Sequence, residues 1–143
     1  MTDEGLLKDC RFDMLHSEYR MIAATDQAPV AKLGLYATIS MRHLINHSEP
    51  FQKLLDKGVF CSGFHAGEDS WHSGVVDLFT TTLEEAVHTG AIRAVETRRV
   101  ATMFLDAILS LMARRLETAD PNGSEDDVRV LMDLYLNGLM IRY

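Results

Sequence analysis

The chain has 143 residues, 47% of them hydrophobic and 24% charged, enough apolar material for one domain with its own core and too regular a composition for a low-complexity tract. Its 14 basic residues face 21 acidic ones, a formal charge of −7. That balance argues against duplex DNA, a dense line of negative charge, as a partner of this chain alone.

In chain order, the dominant period is helical. Leu6, Leu7, Phe12, Met14, Leu15, Tyr19 and Ile22 recur at three- and four-residue steps and predict a helix over 5–24. Pro29 suits the first turn of a second helix to about Asn46, with Leu33, Tyr36, Ala37, Ser40, Met41 and Leu44 on one broad stripe. Ser48 and Pro50 mark a restart and a short helix to about 57. Residues 59–70 (VFCSGFHAGEDS) read as a loop or a broken helix. A long helix over 71–89 follows, ended by Gly90 as a residue of left-handed conformation. Ala91 to Val95 form a tight link to a helix over 96–118. Asp120-Pro121-Asn122-Gly123 breaks the chain before a last helix over 124–141, whose Ser124-Glu125-Asp126-Asp127 opening places acidic residues at the positive end of the helix dipole. The fold class is all-α: a single domain over 1–143, a bundle of about six helices with no strand signal and no repeat.

The last two helices carry more apolar surface than one stripe. Val100–Met112 is apolar except at Thr102, Asp106 and Ser110, and Val130–Ile141 except at Asp133, Asn137 and Gly138. A surface helix keeps a wet face, so each of these is expected to cover two partners, the chain's own core and a second copy of the chain. Two helices from each of two subunits would build a four-helix contact of two-fold symmetry. Its expected residues are Phe104, Ile108, Leu109, Met112, Leu131, Tyr135, Gly138 and Leu139; Gly138 would let another backbone approach. The alternative is that both helices are central in a monomer.

A ligand pocket in such a bundle is apolar with a few polar groups. Tyr36, Ser40 and His43 on the second helix, Trp71, Val75 and Phe79 on the fourth, and Met103 and Phe104 on the fifth are the candidates, each also explicable as plain core. His43 and His47 stand four apart on one helix face, but a metal needs a third ligand, such as His65, Glu68 or His72, and no glutamate stands between them as in HExxH. No metal and no cofactor is expected. No phosphate loop, GxSxG elbow or paired-carboxylate motif occurs, so the chain does not read as an enzyme. Cys10 and Cys61 lie far apart in no CxxC motif, so reduced thiols and a cytoplasmic setting are expected. The acidic start MTDEGLLKDC is not a signal peptide, and no apolar run reaches the roughly 18 residues of a membrane span.

Residues from Trp71 onward resemble the C-terminal half of TetR-family transcriptional regulators. The stretch Leu83-Glu84-Glu85-Ala86-Val87-His88-Thr89-Gly90-Ala91-Ile92-Arg93 looks like the family's long helix, glycine, small residue, Ile/Leu, Arg link. Val95-Glu96-Thr97-Arg98-Arg99-Val100-Ala101 looks like the start of its first dimerisation helix, although the family often has Asp-Pro where Glu96-Thr97 stand. Asp133-Leu134-Tyr135-Leu136-Asn137-Gly138-Leu139 looks like its leucine-rich, Gly-Leu ending. Ala28 to Leu55 is also similar, so the resemblance covers nearly the whole chain. It implies an effector-sensing and dimerisation domain, in which a small hydrophobic or amphipathic molecule between the helices shifts the arrangement of a homodimer. Nothing here matches the family's basic helix-turn-helix headpiece, so DNA would be reached only through a separate N-terminal domain. The competing reading is a helical protein–protein adaptor without a pocket.

Overall fold

A computed structural model describes residues 8–57, 71–118 and 123–139. Six helices account for most of them: α1 (Phe12–Ala23), α2 (Pro29–Asn46), α3 (Ser48–Asp56), α4 (Trp71–His88), α5 (Thr97–Thr118) and α6 (Gly123–Leu139). The described residues hold no strand, and the helices form a single domain. The stretch 59–70 and the breaker residues 120–122 lie outside the described residues.

Helix boundaries follow local chemistry. Proline occupies the first turn of α2, where its missing N–H costs nothing. Gly90 takes φ +78°, and around it the N–H of Ala91 donates to Ala86 O at 2.9 Å and that of Gly90 to Val87 O at 3.1 Å. This pair of bonds closes α4 as a Schellman turn and requires the left-handed residue that glycine supplies. Ile92, two residues on, is then buried against the core.

The helix that the periodicity predicts over 5–24 is interrupted just before α1, and its first residues, 5–7, lie outside the described residues. Lys8 and Asp9 are helical, but Arg11 stands at φ 56° and interrupts the run. The break has a reason in packing: it turns the Cys10 carbonyl toward His43 Nε2, 2.7 Å away, and lowers Phe12 into the core beside Phe51 and Trp71.

α4 and α5 share the largest helix–helix contact; α1 and α2 pack on α4, and α6 lies against α2 and α5. The core between them holds Leu15, Leu33, Phe51, Leu54, Val75, Phe79, Leu83, Phe104, Leu105, Ile108 and Leu109. Fully burying one such side chain contributes about 1.5–3 kcal/mol. One charge is taken inside with them. Lys32 is buried, and its Nζ donates to Ala23 O at 2.9 Å and stands 3.7 Å from Glu85 Oε2. The ammonium thus caps the open carbonyl end of α1 while an acidic residue of α4 offsets its charge.

Candidate functional site

Two places in this bundle carry chemistry beyond plain packing: an aromatic and hydroxyl cluster at its centre, and the outer face of α5 and α6. The central cluster forms because α1, α2, α4 and α5 each aim a ring inward at helical spacing. Tyr36 stacks on Phe79 with centroids 4.6 Å apart. Tyr19 meets Phe79 edge-on at 5.2 Å, and Phe104 meets it at 5.7 Å. The file of rings continues from Tyr19 to Trp71 (6.5 Å) and on through Phe12 (4.7 Å) to Phe51 (5.3 Å). In the other direction it runs from Phe104 to Tyr135 of α6 (5.1 Å).

The hydroxyls inside this cluster satisfy one another. Ser40 Oγ donates to Tyr36 O at 2.6 Å and so accepts from the Tyr19 hydroxyl. Thr82 Oγ1 donates to Leu78 O at 3.3 Å and accepts from the Tyr36 hydroxyl at 2.8 Å. Trp71 Nε1 donates to Phe12 O at 2.9 Å. Burial raises the pKa of both Tyr19 and Tyr36 above the ordinary phenol value, so both stay neutral donors. Buried polar groups paired this way cost little and fix one arrangement of the core.

The residues expected to line a pocket therefore divide. Tyr36, Ser40, His43, Val75, Phe79 and Phe104 are buried, and Trp71 is half-buried beside them. Met103 is 58% exposed and points away from that group. One residue of helix separates it from Phe104, a rotation of about 100°, and that turns one side chain outward as the other turns in.

His43 sits at the end of the cluster. A carbonyl only accepts, so Nε2 carries the proton toward Cys10 O. His47 stacks on its ring at 4.2 Å and donates from Nδ1 to His43 O at 3.1 Å. His72 is engaged elsewhere, with Nε2 3.0 Å from Asp106 Oδ1, and no group of three or more metal-ligating side chains converges among the described residues. Burial of the Cys10 thiol, with Asp9 adding to it, pushes its pKa up to about 12, which leaves it a protonated, inert side chain.

Burial is also the main cause that lowers the pKa of His43, against the opposing bond to Cys10 O; the His47 ring adds to the lowering, and Glu18 and Asp13 oppose it. Burial, with Arg20, lowers His16 in the same direction. A histidine whose folded pKa lies below its ordinary 6.5 binds its proton more readily when unfolded. Stability from these two groups is therefore complete above that value and is lost as pH falls below it toward the folded pKa. Thermal melts from pH 7.5 to 5 should show a falling Tm, and His43→Gln should flatten the profile. An unchanged slope in that variant would assign the acid sensitivity elsewhere.

The outer face of α5 and α6 is a groove of about 620 Å³ lined by Ala107, Ser110, Leu111, Arg114, Val130 and Leu134, among others. Val130 is 50% and Leu134 67% exposed. These are not the residues the sequence singles out. Phe104, Ile108, Leu109 and Met112 are at most 1% exposed and Leu131 is 6% exposed, all enclosed by the chain's own helices. Tyr135 is half-buried against Phe104, and Gly138 is exposed with open space where a side chain would stand. The side chain of Leu139 lies outside the described residues.

The signal for the outward stripe was present in the sequence. Met103, Ala107, Ser110, Leu111 and Arg114 repeat at helical spacing, but Ser110 and Arg114 interrupt their apolar character, whereas Phe104, Ile108, Leu109 and Met112 on the inward side are large and apolar throughout. The polar interruptions mark the stripe that faces outward.

The glycine link and the C-terminal signature, far apart in sequence, meet in space. Arg93 Nε donates to Gly138 O at 3.0 Å, placing a cation on the carbonyl end of α6. Comparison with known proteins adds no relative: no family model, curated protein or solved structure matches the chain.

Proposed function

We propose that the chain is the effector-sensing and dimerisation domain of a TetR-type transcriptional repressor, a cytoplasmic homodimer that pairs through α5 and α6. The observation that carries this reading is the groove between α5 and α6, with exposed Val130 and Leu134 and with Arg114, Glu117 and Asp127 in its lining, on the two helices where the resemblance places subunit contacts. The Schellman turn at Gly90 and the Arg93–Gly138 bond lend it physical sense, because the segments that carry the resemblance are structurally coupled.

The effector in this reading is a small hydrophobic or amphipathic molecule. It would enter among Tyr36, Phe79 and Trp71, whose rings would have to part, and would exchange its own polar group for the Tyr36–Thr82 or Tyr19–Ser40 bond. Selecting that opened arrangement over the closed one is a population shift. Since the ring file ends on Tyr135 of α6, parting it bears on the pairing helix. DNA contact belongs to a headpiece in such repressors, and the acidic excess of this chain argues against duplex binding by these helices.

Sedimentation velocity across a hundredfold concentration range, with thermal shift against hydrophobic amines, phenols and fatty acids, tests both halves. A concentration-dependent dimer and a saturable rise in Tm with one ligand class are expected. A monomer throughout, with no ligand raising Tm, refutes the reading. One observation favours a second reading, a helical adaptor without a pocket: the rings of the central cluster already pack on one another with their hydroxyls satisfied. Association with a foreign amphipathic helix and no self-association would choose it.

A further inference from the structure

We infer that the ion pair between Arg115 of α5 and Asp127 of α6 is the fastening that sets where α6 lies on α5, and with it the shape of the groove. The inference rests on the pairing role just proposed for that groove. It starts from how little else holds α6. Among its described side chains, Leu131 alone is buried; Val128, Met132, Tyr135 and Leu136 are half-buried, and the outward side shows Val130 and Leu134. Every other long helix of the bundle places several large side chains in the core. Hydrophobic burial therefore fixes α6 weakly, and its polar contacts carry a correspondingly larger share of its placement.

Those contacts sit at its two ends. At the C-terminal end, Arg93 holds the Gly138 carbonyl. At the N-terminal end, Arg115 Nε meets Asp127 Oδ2, and the two side chains are only 15% and 16% exposed. Among the described residues, Lys32–Glu85 and His72–Asp106 shelter one partner only. The remaining pairs leave roughly half or more of each side chain in water, as Arg98–Asp77 does at 61% and 64%, and such exposed pairs fix little. Arg115–Asp127 shelters both partners, so either one left alone would be a desolvated charge.

The chain makes room for it. A Cβ at Gly123, the first residue of α6, would overlap the Arg115 guanidinium. The guanidinium thus lies against the opening turn of α6, a position where the helix dipole repels a cation. Asp127 supplies the compensating charge that lets it stay. Asp127 also lines the groove, with Val130 and Leu134 one and two turns further along the same helix. A tilt of the first turn of α6 would carry both of these residues relative to Ala107 and Leu111 on α5, so the ion pair acts on the groove through geometry and contributes no apolar surface to it.

The test uses the full chain with Asp127→Asn, Arg115→Met, the double variant and Gly123→Ala, read by two measurements. In hydrogen exchange, the single variants should show α6 amides exchanging about tenfold faster or more, with α4 unchanged. In sedimentation, the dimer Kd should weaken by about tenfold or more, and the double variant should be no worse than the worse single, as expected for two residues acting as one unit. Gly123→Ala, which leaves both charges in place but displaces the guanidinium, should reproduce the single variants. If Asp127→Asn does not fold, Arg115→Lys, which keeps the charge and loses the planar fork, should give the same localised exchange. Unchanged α6 exchange, or acceleration spread equally over α2, α4 and α5, would overturn the inference, as would an unmoved Kd in variants whose Tm falls. A wild-type chain that never dimerises would refute the pairing role instead, and the exchange result would still decide whether the ion pair holds α6.

Discussion

Leu134→Arg is expected to give a folded chain that no longer self-associates. Leu134 is 67% exposed, so in the single chain the new guanidinium stays in water and the core is untouched; surface changes of this kind move stability by roughly 0.5 kcal/mol or less. In the proposed pairing the same position would be covered by a second copy, and a guanidinium left there without an acidic partner would be stripped of water. That penalty is about 3–5 kcal/mol, which corresponds to roughly two to three and a half orders of magnitude in Kd. Sedimentation should show a monomer at concentrations where the parent is a dimer, with helical circular dichroism and Tm otherwise retained. A variant that still dimerises with parental affinity would remove the α5/α6 face from the interface.

The contrast with Leu109→Arg makes the experiment specific. Leu109 lies on the same pair of helices but is 1% exposed, packed in the core beside Leu105 and Met112. An arginine there has neither room nor partner, and the result is unfolding or insolubility whatever the oligomeric state. Only substitutions on the outward stripe separate association from folding.

That distinction was only half legible in the sequence. Helix order, the glycine stop at residue 90 and the proline start at residue 29 are local signals, set by one residue's backbone preference, and each stands where the periodicity puts it within a few residues. Which of two apolar stripes on α5 faces inward depends on how α4 and α6 pack against it, and no property of α5 alone decides that. The inward choice falls on Phe104, Ile108 and Met112, large enough to fill the space against Phe79 and its neighbours; Ala107, with Ser110 between the apolar positions, is left outside. The break at Cys10-Arg11 was hidden for a related reason. Arg11 takes a left-handed backbone without being glycine or asparagine, a choice made by the tertiary bond from His43 to Cys10 O rather than by local propensity. The Arg115–Asp127 pair was likewise out of reach, since twelve positions and a chain reversal separate its members.

At the centre of the ring file, Phe79→Ala should be the most damaging single truncation. Phe79 is fully buried and touches rings from three helices: Tyr19 of α1, Tyr36 of α2 and Phe104 of α5. Removing it costs its transfer free energy and leaves a cavity, together about 3–5 kcal/mol, a large part of the roughly 5–15 kcal/mol that holds a domain of this size. The hydroxyl pairs around it do not depend on the ring, because Tyr36–Thr82 and Tyr19–Ser40 bond to each other. The cavity would thus be walled by aromatic faces with its polar groups already satisfied, a space that stays dry and accepts an apolar guest. Benzene or toluene should restore several degrees of Tm in the variant and do nothing comparable to the parent. A melt unmoved by the truncation would show that the rings collapse to fill the gap. A variant that melts early and gains nothing from an aromatic guest would show that the helices close over the space, in which case the bundle is too plastic at its centre to hold an effector in one defined pose.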